Sequence, residues 1–281
     1  MTRTSLALGL LCALLAAAAP AAAAPVEIGI GEQKASMFDS PLLAPLELRH
    51  ARYIAPWDSL RSRGWAKTLP GKARFARAFR GFRERYPDVR DWIVWNEANH
   101  PRSLTATRPR YVARLFDEAA RACVGCRIIG ADVLDITGMT WWVRAFARQA
   151  VERPRIWGLH NYVDARGGGS AGTRALMAAT RGKVWFTETG GWLLRRKYER
   201  RRIVQEFRSS PRAAARATRH VLRLACLSRR IRRVYLYNWQ APGAVTTWDS
   251  GFVGPRGRPR PAYEVLRRQV RRTGGPFVRC G

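Results

Sequence analysis

Histidine is scarce: the 281-residue chain has four. None falls in an HExxH or a comparable cluster, so no catalytic metal is expected. Lysine is confined to Lys34, Lys67, Lys72, Lys183 and Lys197. The run Gly167-Gly168-Gly169 is not followed by Lys-Ser/Thr, which excludes a phosphate-cradling loop, and no cofactor is expected. Beyond the N-terminus no apolar run reaches the ~20 residues of a transmembrane helix. There are five cysteines. Cys123-Val124-Gly125-Cys126 has no second CxxC and no flanking histidines, so it reads as a structural bridge or plain thiols rather than zinc or redox chemistry.

Acidic residues are also few, 20 against 51 Lys and Arg, for a formal net charge of +31. The positive charge is nearly all arginine, spread over every expected helix, with one dense run from Arg195 to Arg202. This reads first as a solvated surface, with non-specific attraction to anionic polymers and no specific nucleic-acid partner. Residues 1–24 have the form of a secretory signal peptide: Arg3, an apolar stretch from Leu6 to Ala17, then alanines to Ala24. Cys12 lies outside any lipoprotein-type arrangement. The expected product is exported and secreted, a single domain of residues 25–281, close to the ~250 residues of one α/β barrel. Four cysteines then remain, Cys123, Cys126, Cys226 and Cys280, and their pairing is open.

Short apolar runs alternate with helical periodicity along this domain. Strands are expected near residues 28, 52, 94, 129, 158, 186 and 236, the one at 127–135 continuous. Helices are expected over 71–86, 110–121, 141–150, 173–179, 211–227 and 261–272. Strict alternation implies a parallel sheet or barrel. The expected fold is α/β, (β/α)8 TIM-barrel-like, with one βα unit missing or degenerate: residues 55–90 hold one helix and no convincing strand.

Two of these runs stop abruptly at polar groups. Trp92-Ile93-Val94-Trp95 is followed by Asn96-Glu97-Ala98-Asn99-His100, and Val184-Trp185-Phe186 by Thr187-Glu188-Thr189-Gly190. A barrel gathers its strand ends at one mouth, so two glutamates ending separate strands form a carboxylate pair. Hydrolysis of a glycosidic bond needs such a pair, ~5–5.5 Å apart for retention of configuration and ~6.5–9.5 Å for inversion. Asp132, Asp135 and Asp164 also end strands; helix capping is the preferred reading and substrate contact the alternative.

Trp95-Asn96-Glu97-Ala98-Asn99 resembles the strand 4 motif of the large clan of retaining glycoside hydrolases with a (β/α)8 barrel, and Thr187-Glu188-Thr189-Gly190 resembles its strand 7 site. His160-Asn161-Tyr162 is similar to the clan's strand 6 motif, Trp239 to its strand 8 tryptophan, and Arg52 to its strand 2 arginine. The resemblance implies Glu97 as acid/base, with a raised pKa, and Glu188 as nucleophile, kept ionised by Arg52 and Tyr162. It implies substrate contacts from Asn96, Arg52, His160, Tyr162 and Trp239, with an oligo- or polysaccharide as partner. Two alternatives stand beside it: a catalytically impaired carbohydrate-binding relative, and a basic protein that binds anionic cell-surface polymer.

Overall fold

A computed structural model describes residues 24–59, 68–199, 202–242 and 246–280. The proposed signal peptide lies outside them except for Ala24. β1 (Val26–Gly31) opens the domain, followed by two short 3-10 turns and β2 (Ala51–Arg52). α1 (Lys72–Arg85), β3 (Asp91–Ile93), α2 (Pro109–Ala122), β4 (Arg127–Ile129), β5 (Asp132–Leu134), α3 (Met139–Gln149) and β6 (Ile156–His160) come next. Then follow α4 (Tyr162–Gly167), α5 (Ala171–Ala179), β7 (Lys183–Thr189), β8 (Leu194–Glu199), β9 (Arg202–Arg208), α6 (Pro211–Leu224) and β10 (Ile231–Tyr237). β11 (Trp248–Asp249), α7 (Pro261–Thr273) and β12 (Phe277–Val278) end the chain. Proline at the first helical position of α2, α6 and α7 gives up an N–H that has no partner there anyway. Ser210 adds an N-cap, accepting from Ala213 N–H at 3.1 Å.

The main sheet runs β12-β1-β10-β7-β6-β5, with β2 paired beside β1. All of its pairings are parallel except β12 with β1. The strand expected at 127–135 is split. The chain bends at Gly130, where a Cβ would meet Pro154 at 2.5 Å. β4 pairs with β3, while β5 pairs with β6. All seven expected strand runs are therefore present, arranged as the wall of a (β/α) barrel. Among the described residues between β2 and β3 there is one helix and no strand, and no hydrogen-bonded ladder joins those two. Among the described residues the dense arginine run falls on β8 and the first residue of β9; β8 and β9 form a separate antiparallel sheet with β11.

Two apolar layers hold the wall. A large outer core packs the strands against α2, α3, α5, α6 and α7, with Trp142, Phe146, Phe186 and Leu266 fully buried. A smaller cluster of Ile129, Ile156, Trp185 and Tyr235 fills the barrel interior, with Ile93 against it. α1 covers β3 through Phe79, whose ring meets Trp92 edge-on at 5.2 Å. The cysteines pair as Cys123–Cys126 and Cys226–Cys280. No helix among the described residues is long and apolar enough to cross a membrane.

Candidate active site

The carboxyl ends of β2, β6 and β7, the start of β5 and the turn after β3 converge on one polar network. Arg52, buried at the end of β2, donates to Glu188 Oε2 at 2.9 Å, to Asp132 Oδ2 at 2.8 Å and to Asn96 Oδ1 at 2.6 Å. Tyr162 donates its hydroxyl to the other oxygen of Glu188 at 2.9 Å. His160, fully buried, lies 3.0 Å from Asp132 through Nε2, and through Nδ1 3.2 Å from Glu97 and 3.8 Å from Glu188. One oxygen of Glu97, one of Glu188 and a ring nitrogen of His160 all lie within 4.8 Å of one another. Both expected carboxylates are thus brought together.

The turn that carries Glu97 is held from outside. Glu97 has φ 46°, a left-handed conformation that costs a non-glycine residue about 1–3 kcal/mol. Ala98 N–H donates to Asp132 C=O at 2.9 Å, and Thr105 donates to Ala98 C=O at 2.8 Å. The Asn99 amide bonds Leu134 twice, donating to its C=O at 3.0 Å and accepting its N–H at 2.8 Å. A side chain therefore does for this turn what a neighbouring strand would do.

Room for the network is made by glycines. A Cβ on Gly158 would meet Asp132 Oδ1 at 2.5 Å and Thr187 Oγ1 at 2.9 Å; one on Gly31 would meet the Tyr237 ring at 2.9 Å. Thr187 donates to Asp132, which is fully buried. Burial would raise the Asp132 pKa, but the charges of His160 and Arg52 outweigh it and hold it at about 2. Burial would likewise lower His160, but Asp132 and Glu188 push it up to about 10, so it is an imidazolium at neutral pH. Glu97, His160 and Glu188 offer ligand atoms close enough together to hold a metal ion, and the positive charge of Arg52 at the same point opposes one.

Three expectations need correction. Glu97 was expected with a raised pKa. Burial does raise it, but the hydrogen bond and charge of His160 outweigh burial, and its pKa is lowered. Trp239 was expected as a sugar platform. β10 ends at Tyr237, and Trp239 C=O then accepts from Val253 N–H at 2.8 Å, which turns the indole out of the mouth. It is 1% exposed and packs on Tyr263 of α7 at 6.1 Å. His160, expected to touch substrate, lies fully buried behind the carboxylates.

Other residues occupy the places left open. Tyr237 is half-buried, and desolvation together with the nearby Glu188 and Glu32 pushes its phenol above the ordinary range. Trp248 on β11 meets Tyr162 edge-on at 5.1 Å and is half-exposed. Asp135 and Asp164 are caps as expected: Asp164 of the helix that follows it, α5, and Asp135 of α4 rather than of the next helix, α3. Asp135 accepts from Val163 and Asp164 N–H at the start of α4, and Asp164 from Gly172 and Thr173 N–H at the start of α5. Asp132 is the exception. Its carboxylate accepts from the side chains of Arg52 and Thr187 inside the network instead of from a helix N–H. Beside the network, a cavity of about 840 Å³ opens between β2 and β3, running from Asn96 and Arg52 down to Trp185 and Tyr235.

The sequence matches no protein-family model and no curated protein. The fold is similar to solved barrel glycoside hydrolases. A GH10 endoxylanase from a sugarcane soil metagenome is 15% identical, with a TM-score of 0.63 over 87% of this chain and 96% of that one. Xylanase 10B from Thermotoga maritima is 12% identical, with a TM-score of 0.61 over 88% and 95%. A GH128 endo-β-1,3-glucanase from Amycolatopsis mediterranei, in complex with laminarihexaose, is 13% identical, with a TM-score of 0.60 over 86% and 99%. At these identities the likeness is one of fold: the chain has the TIM-barrel architecture of clan A glycoside hydrolases, over nearly the full length of each.

Proposed function

We propose that the protein is a glycoside hydrolase that retains anomeric configuration, with Glu188 as nucleophile and Glu97 as acid/base. The carrying observation is the approach of their oxygens to within 4.8 Å, which suits the ~5–5.5 Å carboxyl spacing of retention and leaves no room for an inverting water. Glu188 is pinned through both oxygens, by Arg52 and Tyr162, which aims it at an anomeric carbon. Asn96 accepts from Arg52 through Oδ1, which fixes its amide and leaves the NH2 to meet a sugar hydroxyl. Counting Arg52 and His160 against Asp132, Glu97 and Glu188, the network carries one net negative charge, which favours an oxocarbenium-like transition state.

In the free protein the proton of the Glu97–His160 pair sits on the imidazole. In our reading Glu97 takes it from His160 Nδ1 as it delivers one to the leaving oxygen, and later recovers one from the attacking water. Glu188→Gln should abolish hydrolysis of aryl glycosides and cell-wall polysaccharides, and NMR of the first-formed sugar should show the starting anomer. Turnover by Glu188→Gln, or the opposite anomer, would refute the mechanism.

The lowered Glu97 pKa favours a second reading, a carbohydrate-binding relative in which the acid has lost its proton; binding without turnover by the unmodified chain would select it. Export rests on residues 1–24 alone. Its test is the N-terminal sequence of the protein recovered from the medium, expected to begin near residue 25.

A further inference from the structure

Every Asp and Glu of the chain lies among the described residues, yet neither Arg166 nor Arg195 has a carboxylate within ion-pair distance. Both are exposed, and the charge of Arg195 reaches Arg166. Burial and the positive charge of Arg195 together lower the Arg166 pKa, so each guanidinium is in the other's field without an anion to relieve it.

Their surroundings tie them to the cleft. Arg166 sits four residues beyond Tyr162 on α4, one turn of roughly 5.4 Å along the same helix face. Its guanidinium lies 4.0 Å above the Trp192 ring. Trp192 packs against Trp248 at 5.9 Å, and Trp248 against Tyr162 at 5.1 Å. Tyr162 is the hydroxyl donor to Glu188. Arg195 stands directly opposite Trp248 in the antiparallel pairing of β8 with β11, so the two side chains share one face. Two uncompensated guanidiniums and a half-exposed indole therefore flank the nucleophile's own tyrosine.

We propose that Arg166 and Arg195 form an anion subsite next to the catalytic pair, and that the glycan taken by the cleft is acidic, bearing carboxylate groups as uronic acids do. The inference rests on the glycosidase reading above. A guanidinium presents a planar fork of N–H donors that a carboxylate meets through both oxygens, which a neutral hydroxyl cannot do. Trp248 would offer its face to the C–H groups of the same sugar.

The test is a binding measurement in the Glu188→Gln background, so that turnover does not interfere. Titration calorimetry at low salt compares uronate-bearing oligosaccharides of glucuronoxylan with the same oligosaccharides after carboxyl reduction. The acidic members should bind at least about tenfold more tightly, a difference of ~1.4 kcal/mol. Adding Arg166→Gln and Arg195→Gln should erase that difference while leaving the Kd of the reduced members unchanged. Equal affinity for both members, no binding of either, or an equal weakening of both by the arginine substitutions would overturn the subsite. The last of these is what mere packing on Trp192 would give. Acid-selective binding by a chain that hydrolyses nothing would keep the subsite and sink the glycosidase reading alone.

Discussion

The imidazole of His160 reaches Asp132 through one nitrogen and Glu97 through the other, with no exposure to water. Its pKa lies at about 10 against an ordinary 6.5, so its contribution to stability is complete below pH 6.5 and is lost as pH rises towards 10. Asp132 works in the opposite direction: held at about 2 against 3.8, it stabilises above pH 3.8 and ceases to as pH falls towards 2. The network is therefore strongest between about pH 4 and 6.5. His160→Asn leaves Asp132 buried with one cation fewer, and breaking a buried pair in this way costs about 3–5 kcal/mol. Urea unfolding at pH 6 should show that loss, and the variant's stability should fall less steeply between pH 7 and 9 than that of the unmodified protein. The same change removes the hydrogen bond that depresses Glu97. Since the proton that Glu97 delivers is held by His160 up to about pH 10, the alkaline limb of kcat/KM should then move to lower pH, where the Glu97 carboxyl alone loses it. An unmoved limb would show that His160 does not set the charge state of Glu97.

At the scale of the element, the turn after β3 depends on one amide. Asn99 makes a two-way bond with Leu134 of β5, and with it the left-handed Glu97 is fixed over the site. Asn99→Ala should cost about 1–3 kcal/mol by leaving the Leu134 backbone groups unpaired. It should also lower kcat more than it raises KM, because Glu97 loses its aim; steady-state kinetics with an aryl glycoside would check this. Glu97 and Glu188 themselves were legible in the sequence because each closes a short apolar run, and strand ends meet at one mouth whatever the loops do. Trp239 was misread because β10 stops at Tyr237: pairing with Val253, far along the chain, decides where the next residues point. Trp248 gave no signal at all, since its position follows from β11 joining β8. The lowered pKa of Glu97 was illegible for the same reason. It is set by His160 on another strand, and only the burial that raises it could be foreseen.

For the whole molecule the question is how a barrel wall holds together where no ladder joins β2 to β3. The two-stranded β3–β4 piece is tied to the main sheet at the foot of the barrel by Arg233. That guanidinium, on β10, donates to Glu27 of β1 at 2.6 and 2.8 Å and to Asp91 of β3 at 2.7 Å, and lies 4.2 Å over the Trp185 ring. Charge thus links β3 to the paired strands β1 and β10, where no backbone ladder joins them. Burial alone would lower the Arg233 pKa, yet Tyr235 and its acidic partners raise it, so the tie persists across the working pH range. Glu27 and Asp91 are partly hydrated, which limits what each bond adds. Arg233→Met keeps the packing on Trp185 and removes the tie, and should cost about 1–3 kcal/mol. Because β3 leads directly into Asn96 and Glu97, the loss should not be confined to stability. Hydrogen exchange of the β3 amides should speed up well before that of β7, and kcat should fall with them. Uniform loosening of the whole sheet would mean instead that the outer core alone holds the β3–β4 piece in place.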